Sequence, residues 1–317
     1  MPTSARERFQ PQFAVQRRMC AEWNAAGSLR KCQDRFMRVI HPLFDFQYHD
    51  AEDFEFSNGG FSNVRFSIRH YGDWSGLYDG EIFSQRDRDY IKRESKALVA
   101  EGVELDGFER EVSLLLIAFR ILAEGNKITP IIKYRLSEDE SLRSRIEETE
   151  MHIRLLDPLW QTYVLSDFPQ IDRTFKTLQS AEAGSDRLKN AFYFLYRAFN
   201  SYQWIDAFMF YMGVIESLFS CDQKGPASEP VCRRTTNLLN DPDCPYEKVR
   251  DLYDVRSRII HGRLEARTNS HANLRLTADM EVLVKRCLRL LVEMDALHHY
   301  TDQTARNTFL GTLDQRA

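Results

Sequence analysis

The sequence predicts a mainly α-helical fold: a C-terminal helical bundle preceded by an N-terminal α+β region with a small antiparallel sheet. From residue 185 onward, apolar residues recur at helical spacing, and breakers such as Asp241-Pro242 and Gly262 separate the segments. Upstream, Val64, Phe66 and Ile68 alternate with polar residues, which is the pattern of a strand that is buried on one face.

Chain length favours about two domains of roughly 150 residues each. We expect an N-terminal α+β domain over residues 1–170, a helical domain over 171–300 and a flexible tail over 301–317. In the helical domain, the periodic segments predict helices at residues 186–202, 204–220, 228–240, 246–261 and 272–299.

The N-terminal region combines strand and helix signals. Asn58-Gly59-Gly60 is typical of a tight hairpin turn in a sheet rich in aromatic residues. Those aromatic rings are expected to pack the sheet, with base stacking as the alternative. Helices are predicted at residues 86–100, 109–124 and, from a capping box at Ser137-x-x-Glu140, 137–156. The stretch 166–184 is mixed and favours a short helix or a linker.

Composition excludes several classes of function. With 43 basic and 47 acidic residues the formal net charge is -4, so any RNA contact must come from a local patch rather than a global basic field. The six cysteines form no CxxC pair, and no metal-ligand spacing is present, so we expect neither a metal nor another cofactor. Residues 1–13 contain no signal-peptide core, and the longest apolar run, 207–215, cannot span a bilayer. These features favour a cytoplasmic protein without a membrane partner.

The segment 204–220 is apolar nearly all round, which is typical of a helix buried on every side. In a five-helix domain, such a helix is either central or partly covered by a second copy of the chain. Glu216 lies within this segment. A buried carboxylate requires a partner, so we expect a cation to face it.

The next chemically distinctive segment is the predicted helix 246–261. Arg256 falls in the middle of its apolar face, and Glu216 is the natural acidic partner. His261 lies about 140° round the helix from Arg256, at the helix end, where Gly262 predicts a left-handed stop. The two side chains converge on one ligand only if the helix end is distorted or a second copy completes the site across a two-fold axis.

Arginine and histidine together suit RNA cleavage. Histidine can transfer protons near neutral pH, and a guanidinium binds phosphate and stabilises charge that develops during reaction. RNA supplies its own nucleophile, the 2′-hydroxyl group. These groups suffice for strand scission without a metal ion.

At this point the residues resemble a known family. Arg256-x4-His261, within the run from Leu252 to Gly262, is similar to the signature of HEPN domains, and most similar to the Apea-like branch. Further agreement in order comes from Arg187-Leu188 with Ala191, from the run 215–219, and from Arg233 ahead of Leu238-Leu239. The resemblance covers about residues 180–295. It implies a bundle of four to five helices, a homodimer and, in many members, metal-independent endoribonuclease activity.

The resemblance assigns the catalytic roles to Arg256 and His261, with Ser257 as the polar residue that follows the arginine. We expect Glu216, Asp254 and Gly262 to support them: Glu216 by pairing with Arg256, Gly262 by ending the helix. Asp254 either orients His261 or, as we expect, pairs with Arg258 at i+4. Arg250, Arg258 and Arg263 either form a solvated face or bind the RNA backbone.

The sequence therefore favours a homodimeric endoribonuclease that binds RNA and acts in antiviral defence or as a toxin-like RNA-cleaving protein. Two alternatives stay open. The bundle could be a non-catalytic dimerisation or RNA-binding module, in which the arginine and histidine only tie helices together. An enzyme site could instead lie in the N-terminal half.

Overall fold

The described part of the chain is mainly helical, as the sequence predicts. The computed structural model describes residues 37–42, 47–48, 54–56, 65–70, 96–102, 108–122, 131–137, 145–150, 162–163, 165–199, 201, 203–221, 228–264 and 270–315. Residues 36–317 belong to one compact unit. Among the described helices, none has the length and hydrophobicity needed to cross a lipid bilayer.

Among the described residues, eight strands lie before the C-terminal helices. They are β1 (Met37–Pro42), β2 (Gln47–Tyr48), β3 (Phe54–Phe56), β4 (Arg65–His70), β5 (Lys96–Gly102), β6 (Ile131–Ser137), β7 (Arg145–Glu150) and β8 (Thr162–Tyr163). Six of them form one antiparallel sheet in the order β3-β4-β5-β1-β6-β7, and β2 pairs in parallel with β8. The residues of the predicted hairpin turn at 58–60 lie outside the described residues.

Two helix predictions in the N-terminal region are wrong. Strand β5 occupies the end of the predicted helix 86–100, whose first residues lie outside the described part. The capping box at Ser137 opens no helix, because Ser137 ends β6 and β7 follows at Arg145–Glu150. In these segments the backbone N–H and C=O groups form hydrogen bonds with neighbouring strands, whereas in a helix they would bond to each other within the segment. Short-range signals do not reveal such pairing.

Eight helices follow or interleave with the strands in the described part. They are α1 (Phe108–Leu122), α2 (Phe168–Ala183), α3 (Asp186–Phe199), α4 (Trp204–Phe219), α5 (Ser228–Leu239), α6 (Tyr246–Ile260), α7 (His271–Glu293) and α8 (Gln303–Asp314). Short 3-10 helices cover Leu165–Asp167 and Ala296–Thr301. Helices α3 to α6 match the predicted segments, because their buried residues recur every three or four positions.

Helix α2 covers the stretch that the sequence reads as mixed. Pro169 lies in its first turn, where the missing N–H costs nothing. Phe168, Ile171, Phe175 and Leu178 are buried along one face. This i, i+3, i+7 spacing is the signal that identifies the helix, although charged residues interrupt it.

The prediction of a flexible tail is wrong for residues 301–315, and residues 316–317 lie outside the described residues. Helix α7 ends at Glu293, the chain turns at Asp295 with φ 51°, and α8 then packs onto the bundle through Phe309, Leu310 and Leu313. The Asp302 side chain caps α8 by accepting a hydrogen bond from the backbone N–H of Ala305 at 2.8 Å.

Helix α1 lies before the predicted domain boundary near residue 170 but packs with the bundle. Arg289 of α7 donates to the carbonyl of Ile121 at 3.0 Å. The rings of Phe56 and Phe119 lie 5.7 Å apart and form an edge contact. Of the two roles expected for the aromatic rings, packing and base stacking, the structure therefore shows packing for the buried Phe56. The predicted boundary does not separate α1 from the bundle.

Helix α4 is central, but within a single chain it is not buried on all sides; the alternative that a second copy covers part of it stays a prediction. One face is buried by its neighbours, whereas a second face is only half-buried: Ile205, Met209, Phe210, Gly213, Glu216 and Ser217. Phe194 of α3 lies over Gly213 so closely that a Cβ there would come within 2.9 Å of its ring. The half-buried face of α4 carries Glu216 toward α6, which positions the candidate site.

A polar cluster lies inside the bundle between α4 and α7. The Tyr211 hydroxyl donates to Glu281 at 2.9 Å, and Lys285 lies one turn further along α7. Burial lowers the pKa of the Lys285 ammonium to about 8, and Arg120 and Arg289 add to this effect while Glu281 opposes it. The folded state therefore binds this proton more weakly than the unfolded state.

At pH 7.5 the variant Lys285→Met is expected to be more stable than the parent. This difference in unfolding free energy should decrease by about 2 kcal/mol when the pH is raised to 10. Between pH 7.5 and pH 10, the lysine of the unfolded state holds a proton that a growing fraction of the folded state has released. The contribution of Lys285 to the free energy of unfolding of the parent therefore rises with pH. The measurement is the difference in unfolding free energy between the two proteins in denaturant. The raised pKa of the buried Cys232 and Cys287 thiols destabilises both proteins alike above pH 9 and cancels in that difference. A difference that does not change with pH would contradict the assignment.

Candidate active site

Helix α6 carries most of the predicted site residues. It begins after Pro245 and buries Val249, Leu252, Tyr253 and Val255 against the bundle. The helix ends at Ile260, and Gly262, with φ 64°, adopts the left-handed conformation that the sequence predicts for the stop. The N–H groups of Gly262 and Arg263 donate to the carbonyls of Ile259 and Arg258 at 3.0 and 2.8 Å, which is a Schellman motif.

His261 is the residue that caps the helix. Its backbone N–H donates to the carbonyl of Ser257 at 3.0 Å, and its side chain is exposed. Within the described part of the chain the imidazole has no hydrogen-bond or ion-pair partner. The ring is thus open to solvent and to a ligand.

Arg256 faces α4, as the sequence predicts. Its Nη2 lies 3.2 Å from Oε1 and 3.5 Å from Oε2 of Glu216, so the expected ion pair is present. The hydroxyl of Tyr253 donates to Oε1 of Glu216 at 2.6 Å, and the Tyr253 ring lies 5.6 Å from the Arg256 Cζ. Together these three side chains form one cluster between α4 and α6.

The Arg256–Glu216 pair is less buried than predicted. The two side chains retain 30% and 29% of their exposure, because they lie at the half-buried face of α4. Tyr253 is buried. Burial and its hydrogen bond to Glu216 both raise the pKa of the Tyr253 phenol, so this hydroxyl stays protonated at physiological pH.

The remaining predicted residues are placed as follows. Ser257 is half-buried, whereas Asp254, Arg250, Arg258 and Arg263 are exposed. The expected ion pair between Asp254 and Arg258 is not among the salt bridges of the described residues, so that prediction is wrong. At exposed positions the gain from such a pair does not offset the ordering of two long side chains.

A single chain brings Arg256 to Glu216 but does not bring Arg256 and His261 onto one face. The helix remains α-helical to Ile260, so no distortion removes the separation of about 140° that five residues impose. Arg256 points at α4 and His261 lies at the solvent-exposed end. Of the two ways to join them that the sequence leaves open, the distorted helix end is absent, and completion of the site by a second copy stays a prediction.

Tyr253 is the site residue that the sequence did not identify as functional. It falls on the apolar face of the helix, where the sequence predicts only a packing role. Its position three residues before Arg256 places both side chains on the same side of the helix. That spacing is the only local signal, since its partner Glu216 lies in another helix.

The fold and the site together define a mainly helical protein with an exposed histidine at a helix end and an arginine–glutamate–tyrosine cluster on the same helix. No protein-family model, curated protein or solved structure matches this chain.

Proposed function

We propose that this chain is a metal-independent endoribonuclease that acts as a homodimer, with His261 transferring protons and Arg256 binding phosphate. The observation that carries the proposal is the imidazole of His261, which is exposed and has no partner among the described residues, on the helix whose Arg256 guanidinium is anchored by Glu216. A buried histidine would have excluded proton transfer to a polymer. The resemblance of this segment to HEPN domains supports the same assignment.

The reaction needs only the RNA and these side chains. His261 removes the proton from a ribose 2′-hydroxyl, whose oxygen then bonds to the adjacent phosphorus. The bond from phosphorus to the 5′-oxygen breaks, and that oxygen takes a proton from the imidazolium of His261 in the second copy. The products are a 2′,3′-cyclic phosphate and a 5′-hydroxyl. Arg256 stabilises the charge that builds on the phosphate oxygens.

The other site residues take supporting roles in this proposal. Ser257, beside Arg256, hydrogen-bonds the same phosphate. The exposed Arg250, Arg258 and Arg263 contact neighbouring phosphates of the strand. Two copies of α6 then border one groove.

The N-terminal region is proposed to be an α+β domain that senses a trigger or recruits a target RNA. A nuclease that cuts cellular RNA is toxic unless it is held inactive, so we expect low activity without the trigger. The setting that we propose is the cytoplasm, in antiviral defence or translation shutdown.

The test is cleavage of single-stranded RNA by the purified chain in the presence of EDTA. His261→Ala is expected to lower the rate by at least about a hundredfold, since general acid–base catalysis contributes that much or more. The matched control is His271→Ala, which removes another exposed imidazole, at the start of α7. Cleavage by His261→Ala at the parent rate, or cleavage that EDTA abolishes, would show the proposal to be wrong.

The second candidate function is a non-catalytic dimerisation or RNA-binding module. It is favoured by the same cluster of Arg256, Glu216 and Tyr253, because these contacts also tie α4 to α6. In that case the purified protein leaves RNA intact under every trigger tested.

A further inference from the structure

The way in which Arg256 is held is unusual for an arginine beside a carboxylate. A guanidinium facing a free carboxylate commonly makes two parallel hydrogen bonds, one from each of two nitrogens. Here only Nη2 of Arg256 approaches Glu216, at 3.2 and 3.5 Å from its two oxygens. The Nε atom is buried and has no hydrogen-bond partner, and Nη1 has none within the described residues.

Tyr253 explains this one-sided contact. Its hydroxyl donates a 2.6 Å hydrogen bond to Oε1 of Glu216, the same oxygen that Nη2 of Arg256 approaches at 3.2 Å, and this bond fixes the orientation of the carboxylate. Its ring lies 5.6 Å from the Arg256 Cζ and gives the guanidinium a second, non-directional contact. The carboxylate is therefore shared, and the guanidinium is fixed without committing all its N–H groups.

We propose that Tyr253 is a positioning residue for a phosphodiester: by fixing the orientation of the Glu216 carboxylate so that only Nη2 of Arg256 meets it, its hydroxyl keeps the Nη1 group of Arg256 free to bind an RNA phosphate. The inference rests on the proposed function and adds a residue to that site. Arg256 retains 30% exposure, so a phosphate can reach this group from solvent. Tyr253 itself is buried and acts only through Glu216 and Arg256.

Removing the hydroxyl should let the Glu216 carboxylate rotate, so that each of its oxygens can accept a hydrogen bond from a different nitrogen of the guanidinium. Tyr253→Phe keeps the ring and is expected to lower kcat/KM for RNA cleavage about tenfold, roughly the effect of one charged hydrogen bond. Adding Glu216→Gln to that variant removes the charge that draws Arg256 away, so the double variant should cleave faster than Tyr253→Phe. A merely structural role predicts the opposite, because the second substitution would then remove one more contact.

A binding measurement separates this inference from the proposed function. Fluorescence anisotropy with a 2′-deoxy strand, which lacks the nucleophile, reports phosphate binding without cleavage. The expected order of affinity is parent first, the double variant second and Tyr253→Phe last. Tyr193→Phe, which removes an exposed hydroxyl on α3, serves as the control and should match the parent.

The outcomes are distinct. If the parent cuts RNA and Tyr253→Phe cuts it equally well, the inference is wrong and the proposed function stands. If the parent binds the deoxy strand without cutting RNA, the proposed function is wrong. The role of Tyr253 is then decided by the order of affinities alone, which either supports or overturns it. A parent that neither binds nor cuts overturns both. If the double variant cleaves RNA more slowly and binds the deoxy strand more weakly than Tyr253→Phe, the inference is also overturned.

Discussion

Arg256→Ala is expected to lower the rate of RNA cleavage by a factor of about 100 to 1,000, the usual cost of losing one group that stabilises charge in the transition state. The loss of thermal stability should be small. Both side chains of the ion pair are about a third exposed, so the pair contributes no more than about 1 kcal/mol. Glu216 also keeps the hydrogen bond from Tyr253. The two measurements are the cleavage rate and the Tm of the same preparation.

Arg258→Ala is the matched control for this variant. Arg258 lies two residues further along α6 and is exposed, with no side-chain partner among the described residues. It should leave Tm unchanged and weaken cleavage only through reduced binding of the RNA backbone. A large drop in Tm for Arg256→Ala, with RNA intact before and after the substitution, would favour the non-catalytic module instead.

Arg234→Met is expected to lower the free energy of unfolding by about 3 to 5 kcal/mol, the range observed when one partner of a buried charged network is removed. The Arg234 side chain is only 6% exposed and lies 2.7 Å from Oδ2 of Asp314. It also donates to the carbonyl of Phe219 at 2.7 Å. Methionine fills much of the same volume but leaves both acceptors without this donor. Denaturation with urea, followed by circular dichroism, measures the change.

The neighbouring residue offers a control with the same partner. Arg233 contacts Oδ1 of Asp314 at 3.2 Å, but its side chain is 40% exposed. Arg233→Met should therefore cost less than about 1 kcal/mol. If Arg234→Met and Arg233→Met lower the free energy of unfolding equally, burial does not determine the strength of these contacts.

The sequence predicts the bundle helices α3 to α6 because their buried faces repeat at a helical period that no other structure accommodates. It misses α8, since the contacts that hold this helix come from Arg234 and Asn237 on α5, far away in the chain. It also reads part of the sheet as helix, because the pairing of β6 with β1 and β7 leaves no mark on local spacing. Long-range pairing is the common reason for both errors.

The same distinction applies to the site. The Arg256–Glu216 pair is predictable because an arginine on an apolar face and a carboxylate on an apolar helix require each other. The left-handed Gly262 is predictable because the residue type itself favours that conformation. Tyr253 is not, since a tyrosine on an apolar face is compatible with packing alone. Only the position of α4 relative to α6 brings its hydroxyl to Glu216.

The last helix of the chain has a consequence for a site that it does not touch. Two guanidinium groups hydrogen-bond backbone carbonyls at the C-terminal end of α4. Arg234, which Asp314 of α8 orients, donates to the carbonyl of Phe219. Arg306 of α8 donates to the carbonyl of Ser220, the residue after the helix. Glu216 lies one turn back along that same helix. Contacts with α8 thus help to fix the position of the Glu216 carboxylate relative to Arg256, and we expect any change that loosens α8 to shift this ion pair as well.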